Sequence, residues 1–132
     1  MIPGKAWSTP SKLCPCIRDK FFQLEARLQE LNIAYKVLET MRDVERQIYY
    51  VNIGTSKTMN SKHLPQAPKE LSLAVDLAPV EYMKLKHWNP NGILWETIRH
   101  HSREVGMICN IPWDKPHHQL NKCECPKKES NG

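Results

Sequence analysis

The stretch Trp113-Asp114-Lys115-Pro116-His117-His118-Gln119-Leu120 brings together a carboxylate, two imidazoles and an amide. Its second half, from Pro116 onwards, is predicted to form the last short strand of the fold. Neighbouring side chains of a strand point to opposite faces, so only one of the two adjacent histidines can face a given site. We therefore interpret this stretch as one half of a candidate functional site.

The other half is expected from two upstream segments. Ser61-Lys62-His63 follows a turn-rich stretch, and Ala74-Val75-Asp76-Leu77 follows an insert that contains Pro65 and Pro68. The second segment is short and apolar, which is consistent with a buried strand. A carboxylate in such surroundings is costly unless it is paired or bound to a metal, so Asp76 requires a partner.

His63, Asp76 and His117 offer the donor types of a catalytic zinc site. Such a site commonly has three protein ligands and an open position for water, whose pKa falls to about 7. The spacing alone is weakly specific, because a chain with six histidines offers several such triples. Surface residues with ordinary hydrogen bonds are the alternative interpretation of this triple.

Length and composition indicate a globular protein. The chain has 132 residues, 40% of them hydrophobic and 25% charged, which predicts one domain over residues 1–126 and a disordered tail at 127–132. The net charge of +5 suits an anionic partner such as nucleic acid, a membrane surface or cell-wall polymer. The first residues lack the apolar core of a signal peptide, and no run resembles a membrane span. We expect synthesis in the cytosol and no membrane insertion.

Local patterns predict a small α+β fold. Apolar residues recur at three- and four-residue steps over residues 17–32, which indicates an amphipathic helix. Composition predicts further helices at 43–52 and 93–105, and further strands at 35–40, 73–78 and 107–109. We expect a mainly antiparallel sheet that carries the site, with helices packed on one side.

Taken together, these motifs resemble those of zinc peptidases related to D-alanyl-D-alanine carboxypeptidases. The resemblance rests on Ser-x-His at 61–63, Ala-x-Asp at 74–76 and Asp-x-x-His at 114–117. Glu39-Thr40-Met41-Arg42 also looks like the arginine-bearing segment of that family, so the likeness covers residues from about 35 to 120. The chain looks closest to compact phage endolysins that act as L-alanyl-D-glutamate peptidases. The resemblance implies a hedgehog/DD-peptidase-like fold, Zn²⁺ as cofactor and the stem peptide of bacterial peptidoglycan as substrate.

The resemblance assigns roles to the motif residues. It implies that His63, Asp76 and His117 bind zinc. Asp114 would be the general base, which takes a proton from the attacking water and returns it to the leaving amine. In this register His118 is the outward neighbour of the ligand His117.

The chain departs from the family pattern between the first two ligands. His63 and Asp76 are separated by thirteen positions (76 − 63 = 13), and the interval contains no glycine. Loop closure costs grow slowly with length, so an insert that loops out leaves both ligands able to converge. Glu70, inside the insert, is an alternative ligand.

Three upstream residues are assigned to substrate binding by the same resemblance. Arg42 would clamp a substrate carboxylate, because a guanidinium can pair with both oxygens, and Gln47 and Ser61 would orient the substrate. The implied activity is that of a monomeric endolysin that cleaves the L-alanyl-D-glutamate bond in the cell wall after its release. A D-alanyl-D-alanine carboxypeptidase or dipeptidase is the alternative enzyme. A non-catalytic, zinc-stabilised binding module is the alternative of another class. Nucleic acid is not an expected partner, because the basic residues are scattered and no recognised motif appears.

Four of the five cysteines form two Cys-x-Cys pairs near the ends of the chain: Cys14 with Cys16, and Cys123 with Cys125. If the ends meet, the four thiolates could hold a second zinc, two disulfides could form, or the thiols could stay reduced. The sequence leaves these three possibilities open. Cys109 stands alone in an apolar setting and is predicted to be a small buried core residue.

Overall fold

A three-stranded antiparallel sheet organises the fold, which the computed structural model describes for residues 2–126. The strands are β1 (Tyr35–Glu39), β2 (Ala74–Pro79) and β3 (His117–Gln119), in the order β1-β2-β3. Within this part of the chain the α-helices are α1 (Pro15–Glu30), α2 (Val44–Asn52), α3 (Val80–Met83) and α4 (Ile93–Glu104). Short 3-10 helices lie at Pro10–Lys12 and Lys86–Trp88. The predicted α+β fold with an antiparallel sheet is confirmed.

Helix α1 supplies much of the main core. Proline suits its first position, because the fixed φ angle is helical and no hydrogen-bonded N–H is lost there. Its buried apolar side chains, at three- and four-residue steps, pack with those of β2 and α4. The side chains that meet in this core include Ile17, Phe21, Leu24, Leu28, Val75, Leu77 and Ile98.

The alternation of side chains along β2 separates the core from the candidate site. Val75 and Leu77 are buried in the main core. Asp76 lies between them and therefore points to the opposite face of the sheet. In the strand register, Asp76 lies opposite Glu39 of β1 and His117 of β3. Three polar side chains thus form a row across the sheet on the face away from the main core.

Helix α2 borders the same polar face. Asp43 caps its first turn, because the Asp43 carboxylate accepts a hydrogen bond of 2.9 Å from the backbone N–H of Arg46. The polar face carries a cavity that includes Asp76 in its lining, and the side chains of Arg46 and Tyr50 on this helix line the same cavity.

The prediction of a strand at 107–109 is wrong, because only an isolated bridge forms there. Only Ile108 pairs, in a single bridge to Gln119 that exchanges two backbone hydrogen bonds of 2.8 Å. The segment is short because the chain reverses at Gly106, where φ is +102°, and turns again at Pro112. Ile108 is therefore the one residue of this segment that pairs with β3.

The outward orientation expected for His118 is also wrong. His118 lies opposite Val75 in the register and is buried on the core face of the sheet. Its Nδ1 lies 2.7 Å from the Ser102 hydroxyl of α4. Burial lowers the pKa of His118 to about 3, so the ring is neutral and acts as a packing residue.

Within residues 2–126, no helix combines the length and apolar character needed to cross a membrane. The tail predicted at 127–132 lies outside the described residues, and the single domain over 1–126 stays a prediction.

Candidate metal centre

The side chains of His63, Asp76 and His117 meet at one point. Nε2 of His63 lies 3.0 Å from Oδ1 of Asp76, and Nδ1 of His117 lies 3.1 Å from the same oxygen. One potential ligand atom from each residue lies within 4.8 Å of the other two. The exposed fractions of His63 and His117 are only 2% and 9%. The structure therefore brings together the three residues that the sequence predicts as ligands.

Backbone pairing explains this convergence. Asp76 and His117 are direct cross-strand partners, so their side chains share one face of the sheet. His63 comes from a loop that is tied down at both sides. The carbonyl of His63 accepts a hydrogen bond of 3.0 Å from the N–H of Arg42, and its own N–H donates to the Ser61 hydroxyl at 3.1 Å.

The long insert between the first two ligands closes on itself. Gln66 and Leu71 form an antiparallel bridge, and the N–H of Gln66 donates to the Leu71 carbonyl at 3.0 Å. The insert therefore projects as a loop and returns the chain to β2 without displacing either ligand. Glu70 is exposed and does not line the cavity, so it is not a substitute for Asp76.

Each histidine of the centre has its outer nitrogen bound to an oxygen acceptor. Nδ1 of His63 lies 2.7 Å from the Thr40 carbonyl, and Nε2 of His117 lies 2.8 Å from the side-chain carbonyl oxygen of Gln119. Because these oxygens only accept, each outer nitrogen carries the hydrogen and donates it. In a neutral ring this leaves the inner nitrogen with a lone pair that faces Asp76.

This arrangement fits a zinc ion. Two inner lone pairs and a carboxylate oxygen repel one another unless a cation lies among them or both rings are protonated. Two imidazoles and one carboxylate form a common catalytic zinc set, and outer N–H groups bound to acceptors typically orient such ligands. Nε2 of His63, Oδ1 of Asp76 and Nδ1 of His117 are the atoms that would hold the ion.

The charges of the centre shift the pKa values of its acids. Without a metal ion and with both rings protonated, burial would raise the pKa of Asp76, but the charge of His63 and the hydrogen bond from His117 hold it far below its usual range. Burial would lower the pKa of His117, whereas the bond to Asp76 raises it overall. For Asp114, burial and the nearby negative charge of Asp76 both raise the pKa.

A cavity of about 730 Å³ lies over the three residues. The turn before β3 places Asp114 in its wall, because the Asp114 carbonyl accepts a hydrogen bond of 3.2 Å from the N–H of His117. Trp113 is 80% exposed and forms part of the rim, so it is not a core residue. Polar side chains make up much of the remaining wall, including those of Glu39, Arg42, Arg46, Tyr50, Ser61, Lys62 and Gln119.

Arg42 is held firmly in the cavity wall. Its Nε donates to the Glu39 carboxylate at 3.1 Å, and Nη2 donates to the same oxygen. Nη1 donates to the side-chain oxygen of Gln47 at 2.8 Å, and the guanidinium lies 4.7 Å from the centre of the Tyr50 ring. These contacts fix the orientation of the guanidinium before any substrate arrives.

Gln47 does not have the position expected for direct substrate binding, whereas Ser61 lies in the cavity wall. Gln47 is fully buried and does not line the cavity, and its Nε2 donates to Ser56 and to the Thr58 carbonyl. Its amide is therefore used inside the protein to position Arg42. Ser61 does line the cavity, but its hydroxyl accepts the N–H of His63 and so shapes the ligand loop.

Sequence reasoning did not assign roles to Thr40 and Gln119, the partners of the two histidines. Gln119 lies two positions after His117, and the period of two along a strand puts both side chains on one face. That signal could have identified Gln119. The Thr40 contact uses a backbone carbonyl, which any residue type supplies, so the sequence holds no signal for it.

Replacing Gln119 with alanine is expected to weaken zinc binding at the centre about 10- to 100-fold, the usual effect of losing such a partner. His117 would lose the acceptor that fixes its ring. Competition with a chelator of known affinity measures the change. Gln23→Ala, on an exposed position of α1, is the matched control. Equal affinities of the Gln119 and Gln23 variants would contradict this role.

Comparison with known proteins identifies a similar solved structure. No protein-family model matches the chain, and no curated protein matches it in sequence. The solved structure is the L-Ala D-Glu endopeptidase ChiX of Serratia marcescens, at a TM-score of 0.58 and 23% identity. The match covers 85% of this chain and 83% of that chain. The fold of this chain is therefore similar to that of ChiX.

Proposed function

We propose that this chain is a zinc-dependent peptidase that hydrolyses an amide bond in the stem peptide of bacterial peptidoglycan. The convergence of His63, Asp76 and His117, with Asp114 in the wall of the same cavity, carries the proposal. The fold similarity to an L-Ala D-Glu endopeptidase supports the L-alanyl-D-glutamate bond as the target. The proposed biological role is that of a phage endolysin that acts as a monomer on the wall.

The proposed mechanism divides the work among the residues of the cavity. Zinc held by the three ligands would polarise the scissile carbonyl and lower the pKa of a water molecule. Asp114 accepts a proton from the attacking water and donates it to the leaving amine, which returns the carboxylate to its starting state. In the metal-free protein burial raises the pKa of Asp114, and a more basic carboxylate accepts a proton more readily. Thr40 and Gln119 keep the outer imidazole nitrogens protonated.

Arg42 is proposed to bind a carboxylate of the substrate. Its guanidinium is oriented by Glu39 and Gln47 and lines the cavity. A guanidinium that pairs with both oxygens of a substrate carboxylate selects it over a neutral amide, because charge-assisted hydrogen bonds are stronger than neutral ones.

This role predicts a preference between two stem peptides that differ only at the glutamate carboxyl group. The peptide with a free carboxylate is expected to have a kcat/KM about 10- to 100-fold above that of its carboxamide, since hydrogen bonds to charged groups contribute about 1.5–3 kcal/mol. Arg42→Lys should reduce that ratio towards one.

The matched control for this experiment is Arg46→Lys. Arg46 lines the same cavity, but its guanidinium donates to the carbonyls of Pro3 and Gly4. The control should keep the preference of the wild-type protein. A preference that is lost in the Arg46 variant and kept in the Arg42 variant would contradict the assignment.

Purified peptidoglycan distinguishes the proposed enzyme from a binding module. We expect soluble peptides to be released, the release to stop after a chelator is added, and zinc to restore it. A non-catalytic, zinc-stabilised module would adsorb to the wall and release nothing. A D-alanyl-D-alanine carboxypeptidase or dipeptidase would use the same centre, and the identity of the released product separates it from the endopeptidase.

A further inference from the structure

The two Cys-x-Cys pairs meet in a cluster that shares no residue with the cavity. Sγ of Cys14 lies 3.6 Å from that of Cys16, 3.7 Å from that of Cys123 and 3.5 Å from that of Cys125. All four sulfur atoms lie within 4.8 Å of one another. The ends of the described chain are therefore joined through sulfur contacts.

The sulfur spacing matches a tetrahedral metal site. Zinc–sulfur bonds of about 2.3 Å in a tetrahedron place neighbouring sulfurs about 3.8 Å apart, whereas a disulfide needs about 2.05 Å. Cys14 has three sulfur neighbours at nearly equal distances, as a corner of a tetrahedron has. Two separate disulfides would instead give each sulfur one close partner.

Backbone groups place partial positive charge near several of the sulfurs. Cys14 and Cys16 lie at the N-terminus of α1, where the helix dipole stabilises negative charge. The N–H of Glu124 donates to Sγ of Cys16 at 3.3 Å, and the N–H of Cys125 donates to Sγ of Cys123 at 3.4 Å. Burial raises the pKa of the Cys14 thiol, and a coordinating metal ion would deprotonate it.

We propose that Cys14, Cys16, Cys123 and Cys125 bind a second, structural Zn²⁺. Four protein thiolates fill a tetrahedral ion and leave no position for water, so this site is structural rather than catalytic. It crosslinks the start of α1 to the segment that follows β3. Because β3 carries His117, the crosslink holds the end of the strand that supplies a ligand to the candidate metal centre.

Titration of reduced, metal-free full-length protein with Co²⁺ tests the proposal. Thiolate ligands give intense near-ultraviolet charge-transfer bands with Co²⁺, and the His63-Asp76-His117 centre contains no sulfur to produce them. We expect bands that saturate at one equivalent in Asp76→Ala and within two equivalents in the wild-type protein, whose histidine centre also takes up the metal. The double variant Cys16→Ser, Cys123→Ser should lose them, and Cys109→Ser, at a buried cysteine outside the cluster, should keep them.

Thermal unfolding provides a second measurement that does not require a cysteine variant to fold. Wild-type protein with Zn²⁺ at the cysteines should unfold at a higher temperature than the metal-free protein, also when the histidine centre has been removed by Asp76→Ala. The absence of charge-transfer bands in wild-type protein with five titratable thiols would overturn the proposal. So would the finding of two disulfides in protein purified under reducing conditions.

Discussion

Replacing Asp114 with asparagine is expected to lower kcat on stem peptides by a factor of about 10² to 10⁴, the usual contribution of a general base. Asparagine has nearly the same size but cannot accept the proton of the attacking water. Asp114 is not one of the three converging ligand residues, so zinc should remain bound in the variant. We therefore expect Asp114→Asn to have the zinc content of the wild-type protein and a strongly reduced kcat.

Two measurements on the same preparation separate these effects. Metal analysis gives the zinc content, and chromatography of released peptides gives the rate. Asp19→Asn, on an exposed position of α1, changes the same chemical group away from the cavity and should retain full activity. Turnover of Asp114→Asn at the wild-type rate would refute the mechanism.

Replacing Asp76 with alanine is expected to remove one equivalent of zinc and to reduce hydrolysis to the background rate. Asp76 lies between His63 and His117, and its Oδ1 is the closest oxygen shared by both inner nitrogens. Without this carboxylate the remaining imidazoles offer two ligands, which is fewer than the three of a catalytic zinc site.

Glu70→Gln is the matched control for this variant. Glu70 lies in the insert between the same two ligands but is exposed and outside the cavity. This variant should keep its zinc content and activity. Circular dichroism of Asp76→Ala checks that the sheet still forms. Retention of zinc at the centre in folded Asp76→Ala would show that another residue supplies the ligand.

The fold could be predicted from the sequence where the spacing of apolar residues is compatible with only one type of secondary structure. The apolar spacing in α1 is helical over many residues, and Val75 and Leu77 flank Asp76 in a short apolar run. A charged residue between two core positions of a strand must face away from the core. The need for a partner at Asp76 followed from the apolar run, and the resemblance of the motifs implied that His117 shares its site.

Other features depend on tertiary contacts that leave no local pattern. His118 is a polar residue on the core face because Ser102 of α4 supplies a hydrogen-bond partner. The resemblance implied that Gln47 orients the substrate, but Ser56 and Thr58 in the following loop accept the hydrogen bonds of its amide. Neither loop closure nor helix packing can be inferred from residue spacing at these positions.

Mass spectrometry of the products from a defined stem pentapeptide tests the proposed activity most directly. The peptidase should release L-alanine and a shortened peptide whose new N-terminus is D-glutamate, and Asp114→Asn should release neither. Release of D-alanine from the carboxyl end would instead show a carboxypeptidase. An intact peptide after incubation with the zinc-loaded wild-type protein would contradict the proposed activity altogether.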